Sequence, residues 1–130
     1  MNRTIVLMGI ILGFLAIILG AFGAHGLEKL VPESAVDTFE TGVRYQMYHA
    51  LMLLILGSFP LVRKSKLRVV FRLICLGVLL FSGSIYLLAI NGITTFDFRV
   101  IGFITPIGGT ILILGWALLG YYVWADKTNK

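Results

Sequence analysis

Hydrophobic positions along this chain fall into four long runs, over residues 5–24, 45–62, 69–90 and 100–124, with polar residues gathered in the stretches between them. At ~1.5 Å per helical residue, each run is long enough to cross the ~30 Å hydrocarbon layer of a bilayer. Arg72 is the single charged residue within them, one turn into the third run, where a long side chain reaches back to the headgroups. The pattern predicts an all-α membrane protein: one transmembrane domain over residues 1–130, built as an up-down bundle of four transmembrane helices.

The stretch 26–44 keeps a helical pattern of its own. Pro32 suits a helix start, Glu33, Ser34 and Asp37 suit a first turn, and Val36, Phe39 and Val43 recur at helical spacing. This predicts a short amphipathic helix over 33–42, lying on the membrane interface and leading through Gly42 into the second run. Glu40 and Arg44, four residues apart, are placed for a weak ion pair.

Arg3, the first apolar run and the small triplet Ala21-Phe22-Gly23 also resemble a secretory signal peptide. The run is longer than the ~7–15 residues of a signal core, however, and three further runs need a partner helix. The first run is therefore read as a span.

Composition strengthens the membrane reading: 58% of the 130 residues are apolar and 13% charged, where a soluble domain carries about a quarter charged. Charge then gives it a direction. Arg3, Arg63, Lys64, Lys66, Arg68, Arg72, Lys127 and Lys130 fall on one side, against Lys29, Arg44 and Arg99 on the other. Eight against three predicts both termini in the cytoplasm of a multi-pass membrane protein, with 63–68 as the short basic inner loop. Glu28, Glu33, Asp37, Glu40 and Asp97 make the opposite face acidic. The net charge of +5 thus belongs to a membrane interface rather than to a nucleic-acid-binding surface. Cys75 lies inside an apolar run and reads as a packing or lipid-facing residue.

Lipid gives helices little hydrophobic reason to associate, so small residues must allow close backbone approach. Gly9 and Gly13, with Ala16, Gly20 and Ala24, form such a stripe on the first span; Gly108, Gly109 and Gly115 offer another on the fourth. Trp116, Tyr121, Tyr122 and Trp124 read as an inner aromatic belt. No internal repeat of the inverted-transporter kind is present.

Polar residues within the spans converge on the outer half: His25, then Tyr45, Gln46 and His49, then Ser82, Ser84 and Tyr86, then Thr105. Tyr45 and His49 share a helix face, as do Ser82 and Tyr86, so that one pocket could collect them. Pro106 is expected to deprive the Gly102 carbonyl of its partner. Three readings stand: a hydrogen-bonded network that fixes helix register, an outward-facing site for a lipid, quinone or haem with His25 and His49 as polar handles, or an interface with another subunit. A shared haem would require the first helix to extend past Ala24, and a metal at His25 and Glu28 would lack a third ligand. No hydrolase, metalloprotease or nucleotide-binding motif is present, nor a cysteine pair, and no carboxylate sits at mid-membrane to couple transport to protons. The residues identify no cofactor and supply no catalytic template.

Four ordered motifs carry a resemblance: GAFGAHGL at 20–27, TGVRYQMYHALMLL at 41–54, FSGSIYLLAI at 81–90 and TPIGGTILILGWALL at 105–119. Together they resemble the YgdD-like family of small bacterial inner-membrane proteins, a domain-of-unknown-function family. The resemblance implies a four-span plasma-membrane protein without an assigned chemistry. The expected function is thus binding of a lipid-like or quinone-like molecule in the outer polar pocket, or service as a structural or accessory subunit; a small transporter or a haem protein fits the residues less well. Membrane lipids, a second copy of the chain or another membrane protein are the expected partners.

Overall fold

Asn2 starts the first helix, α1 (Arg3–His25): its Oδ1 accepts from the Ile5 amide at 3.3 Å, and its own N–H donates to the Gly57 carbonyl at 2.6 Å. The same residue therefore caps one helix and ties it to the end of the next. Residues 1–126 are described by this computed structural model, and their regular structure is entirely helical. Lys127 and Lys130, two of the cations assigned to the inner side, lie outside the described residues.

After a 3-10 turn at Leu27–Lys29, Pro32 opens α2 (Glu33–Ser58), a continuous helix of 26 residues. Residues 33–42 are its first turns rather than a separate interfacial helix, because nothing at Gly42 interrupts the hydrogen-bond ladder. Arg44 donates to Thr41 Oγ1 at 3.3 Å and forms no ion pair with Glu40. On a solvated surface such a pair contributes only a few tenths of a kcal/mol, so a nearby hydroxyl competes with it. Pro60 ends α2 by forcing Phe59 into extended backbone (φ −116°, ψ 140°).

The basic segment is not a loop. Arg63 precedes α3 (Lys64–Ala89), and Lys64, Lys66 and Arg68 lie in its opening turns. Two 3-10 turns, Asn91–Ile93 and Phe98–Ile101, lead into α4 (Ile104–Asp126). Pro106 falls in the first turn of α4, where a missing N–H removes no helical bond, so the expected disruption at Gly102 does not arise.

Contacts between helices run in opposite directions along each pair. Gly9 and Gly57 approach Leu54 and Val6 across α1 and α2; Gly42 meets Ile85, and Tyr45 stacks on Phe81, across α2 and α3; Gly77 and Gly115 meet Leu112 and Ile74 across α3 and α4. The helices are antiparallel in sequence, packed α1 on α2, α2 on α3 and α3 on α4. The buried residues of α1 are Ile5, Gly9, Ala16 and Gly23, the last three seven residues apart and so on one face of the helix. Ile10, Phe14, Ile17 and Ile18 face outward, an apolar surface suited to lipid.

By length and composition, α1, α3 and α4 are apolar enough to cross a membrane. α2 is not among them, since it carries Glu33, Asp37, Glu40, Arg44, Gln46 and His49. The two of these furthest along the helix, Gln46 and His49, are both buried by neighbours, while Glu33, Asp37 and Arg44 are exposed.

Candidate functional site

Close approach of α2 and α3 places the first set of polar groups. At Gly42 a Cβ would stand 2.7 Å from the Tyr86 ring, so the missing side chain lets that ring lie against α2. Tyr86 OH then donates to Gln46 Oε1 at 2.7 Å, and Gln46 Nε2 donates to the Leu12 carbonyl of α1 at 2.8 Å. One buried amide joins three helices. Beside it, Ser82 Oγ donates to the Gly42 carbonyl at 2.8 Å.

A second set lies where α2 faces α4. His49 Nδ1 is 2.6 Å from the Tyr45 carbonyl, which can only accept, so this nitrogen carries the proton. Its Nε2 is thereby an acceptor, and Trp116 Nε1–H donates to it at 3.1 Å. Both ring nitrogens are used within the protein, and iron ligation at His49 would first have to break the bond to Trp116. Tyr45 contributes its carbonyl, while its half-exposed ring packs on Phe81 and Tyr48. A third contact, Ser84 Oγ with Thr105 Oγ1 at 2.6 Å, joins α3 to α4.

The structure thus distributes the sequence-derived cluster over three separate contacts instead of one pocket. His25, at the end of α1, is exposed and meets none of them. Trp116 belongs with His49, away from Tyr121, Tyr122 and Trp124 at the helix end, because its position is near the middle of α4. Depth along the helix was the signal that distinguished it from a belt residue.

A cavity of ≈ 450 Å³ opens between α1 and α3. Leu12, Leu15 and Leu19 line it from α1, and Val78 and Leu79 from α3. Gln46, Ser82 and Tyr86 give it a polar end. Gly83 also lines it, and a Cβ there would meet no atom within 4 Å. The volume lies within the ~300–1,000 Å³ range of small-molecule sites, and apolar walls with a few polar groups are their usual character. Gln46 uses one of its two amide hydrogens on Leu12, and the Tyr86 oxygen retains acceptor capacity. These groups can bind a carbonyl or hydroxyl at the end of an apolar molecule.

The packing glycines differ in what they permit. A Cβ at Gly108 would overlap the backbone of Leu80 and Phe81, and one at Gly9 would stand 2.9 Å from the Ala50 carbonyl oxygen. Gly115 faces the flexible end of Ile74 at 2.9 Å. Gly13, Gly20 and Gly109 have ordinary clearances of 3.4 Å or more. Gly57 and Gly77 approach a neighbouring backbone as well, Gly57 at 2.9 Å from the Val6 amide nitrogen; an isolated glycine within an apolar run gave no spacing from which to infer this.

Ion pairs lie at the two ends of the bundle. Lys66 Nζ reaches Asp126 Oδ1 at 2.7 Å and sits 5.0 Å from the Tyr122 ring centre, joining α3 to α4. That hydrogen bond holds the Asp126 carboxyl below its ordinary value. At the other end, hydrogen bonds from the Arg99 side chain and amide bring exposed Asp97 down to about 2.

Residues 19–109 match a protein family described as of unknown function, DUF423. The chain belongs to this family. It is 38% identical over 117 residues to a UPF0382 membrane protein of Staphylococcus haemolyticus, an alignment covering 90% of this chain and 92% of the relative. UPF0382 membrane protein YwdK of Bacillus subtilis is 38% identical over 90% of this chain and 93% of its own. UPF0382 inner membrane protein YgdD of Escherichia coli is 34% identical over 91% of this chain and 87% of its own. No solved structure matches. With these relatives and its three long apolar helices, the family member described here is an integral membrane protein.

Proposed function

We propose that this protein binds a lipid-like or quinone-like molecule in the cavity between α1 and α3, with the apolar part against Leu12, Leu15 and Leu79 and an oxygen of the ligand at Gln46 or Tyr86. The observation that carries the reading is the ≈ 450 Å³ apolar cavity ending on Gln46 and Tyr86, with open space over Gly83. Compared with the sequence-derived site, the polar handles move from the histidines to an amide and a phenol. All four helices cross the inner membrane in this reading, both termini on the cytoplasmic side, as the basic and acidic ends favour.

Gly83→Phe tests the site, because the new side chain enters open space rather than packed atoms. Native mass spectrometry of wild-type protein extracted gently from membranes is expected to show a retained lipid-like or quinone-like mass, and the variant to lose it with an unchanged melting temperature. Retention undiminished in the variant overturns the site.

The alternative, a structural or accessory subunit, is supported by a different observation: Gln46, His49, Ser82, Ser84 and Tyr86 all find partners within the chain. It predicts that only protein partners are retained on purification.

A further inference from the structure

The face of α3 that lines the cavity runs on toward the basic end of the bundle. Lys64, Arg68, Phe71, Cys75, Val78 and Ser82 follow one another at three or four residues along α3, forming one stripe. At its basic end lies a second cavity of ≈ 250 Å³, with Asn2, Thr4 and Ile5 of the α1 side facing Lys64, Arg68 and Phe71 of α3. From Arg68 to Val78, ten residues at ~1.5 Å each give ~15 Å, the depth of one leaflet of a ~30 Å hydrocarbon layer.

The charge around this second cavity is uncompensated. Lys64 and Arg68 are like charges one turn apart, an arrangement that costs a helix stability. Among the described residues neither has a carboxylate partner, whereas Arg63 and Lys66 share Asp126 on the side of α4. The first turns of α1 and α3 hold no acidic residue. Asn2 and Thr4 add neutral polar groups at the same mouth. Basic recesses between transmembrane helices have the chemistry to hold anionic lipid headgroups.

We infer that the mouth formed by Lys64, Arg68, Asn2 and Thr4 is a binding site for an anionic phospholipid, its phosphate between the two cations and its acyl chain along Ile5 and Phe71 toward the lower edge of the larger cavity. This site is distinct from the one at Gln46 and Tyr86, and it requires no occupant there. Lys66 is excluded from it by its pairing with Asp126.

The full chain, delipidated in detergent and titrated with phosphatidylglycerol or phosphatidylcholine, tests the inference by native mass spectrometry. Wild-type protein is expected to prefer phosphatidylglycerol by about tenfold or more, two cations each contributing near the surface. The double variant Lys64→Gln, Arg68→Gln should lose that preference, while Gly83→Phe keeps it. Equal retention of the two lipids by wild type, or an unaltered preference in the double variant, overturns the site. So does displacement of phosphatidylglycerol by millimolar inorganic phosphate, which would mark a recess for free anions. Because Gly83→Phe reads the larger cavity and the double variant reads the basic mouth, either can fail without the other.

Discussion

Individual residues in this protein act mainly through what they omit or complete. Gly42 omits a side chain, so the Tyr86 ring reaches α2 and its hydroxyl finds Gln46. His49 completes a chain from the Tyr45 carbonyl to the Trp116 indole, and so fixes its own tautomer. Gly108 and Gly109 are adjacent yet face different neighbours: backbone of α3 for the first, the Phe81 ring at 3.5 Å for the second. Gly108→Ala is therefore expected to destabilise the protein by about 1–3 kcal/mol, the usual range for overpacking. Gly109→Ala should change stability by no more than about 0.5 kcal/mol. Denaturant titration in detergent measures both; equal losses would show that the α3–α4 contact does not depend on Gly108. The glycine pair was legible in the sequence, but its asymmetry was not, because only helix rotation decides which of two neighbours meets a backbone.

At the scale of elements, helix ends were less legible than helix interiors. The basic residues 64–68 read as a loop because charge interrupts the apolar run, although nothing in their backbone preference opposes a helix. Pro60, by contrast, gives a firm boundary through its effect on Phe59. The basic end of the α3–α4 pair is held by Lys66 and Asp126, and its pH dependence follows from the lowered carboxyl. Since the folded pKa lies below the ordinary 3.8, the pair contributes stability above that value and loses it as pH falls through the folded pKa. Asp126→Asn should lower the melting temperature at pH 7, and the gap from wild type should close in strongly acidic buffer. A gap that persists unchanged in acid would show that the carboxylate charge is not what stabilises this end.

For the whole molecule, α2 is the element whose environment differs most from its composition. Taken alone it is too polar to be counted with the three apolar helices, yet its central place between α1 and α3 buries Gln46 and His49 and satisfies both. A crossing α2 places residues 34 and 65 on opposite sides of the membrane. With Cys75→Ser as background, a membrane-impermeant thiol reagent applied to intact cells should label Ser34→Cys and leave Ser65→Cys unlabelled until the cells are opened. The reverse pattern would invert the proposed orientation, and labelling of both would remove α2 as a span.

The sequence by itself determined the class of this protein: four helical runs, an excess of apolar residues, opposite charge at the two ends and four family motifs. Those properties follow from hydropathy and order along the chain, which need no third dimension. Only the tertiary structure decided which polar groups meet. Residues that seemed to converge by depth, such as Gln46 and His49, are three positions apart and only about 60° apart around one helix, yet Gln46 meets Leu12 and Tyr86 while His49 meets Trp116, because different neighbouring helices cover the two positions. Depth is written in the sequence as distance from a helix end, whereas facing depends on how each helix is turned against its neighbours. The cavity between α1 and α3 arises from that second quantity, and so it became visible only when the helices were packed.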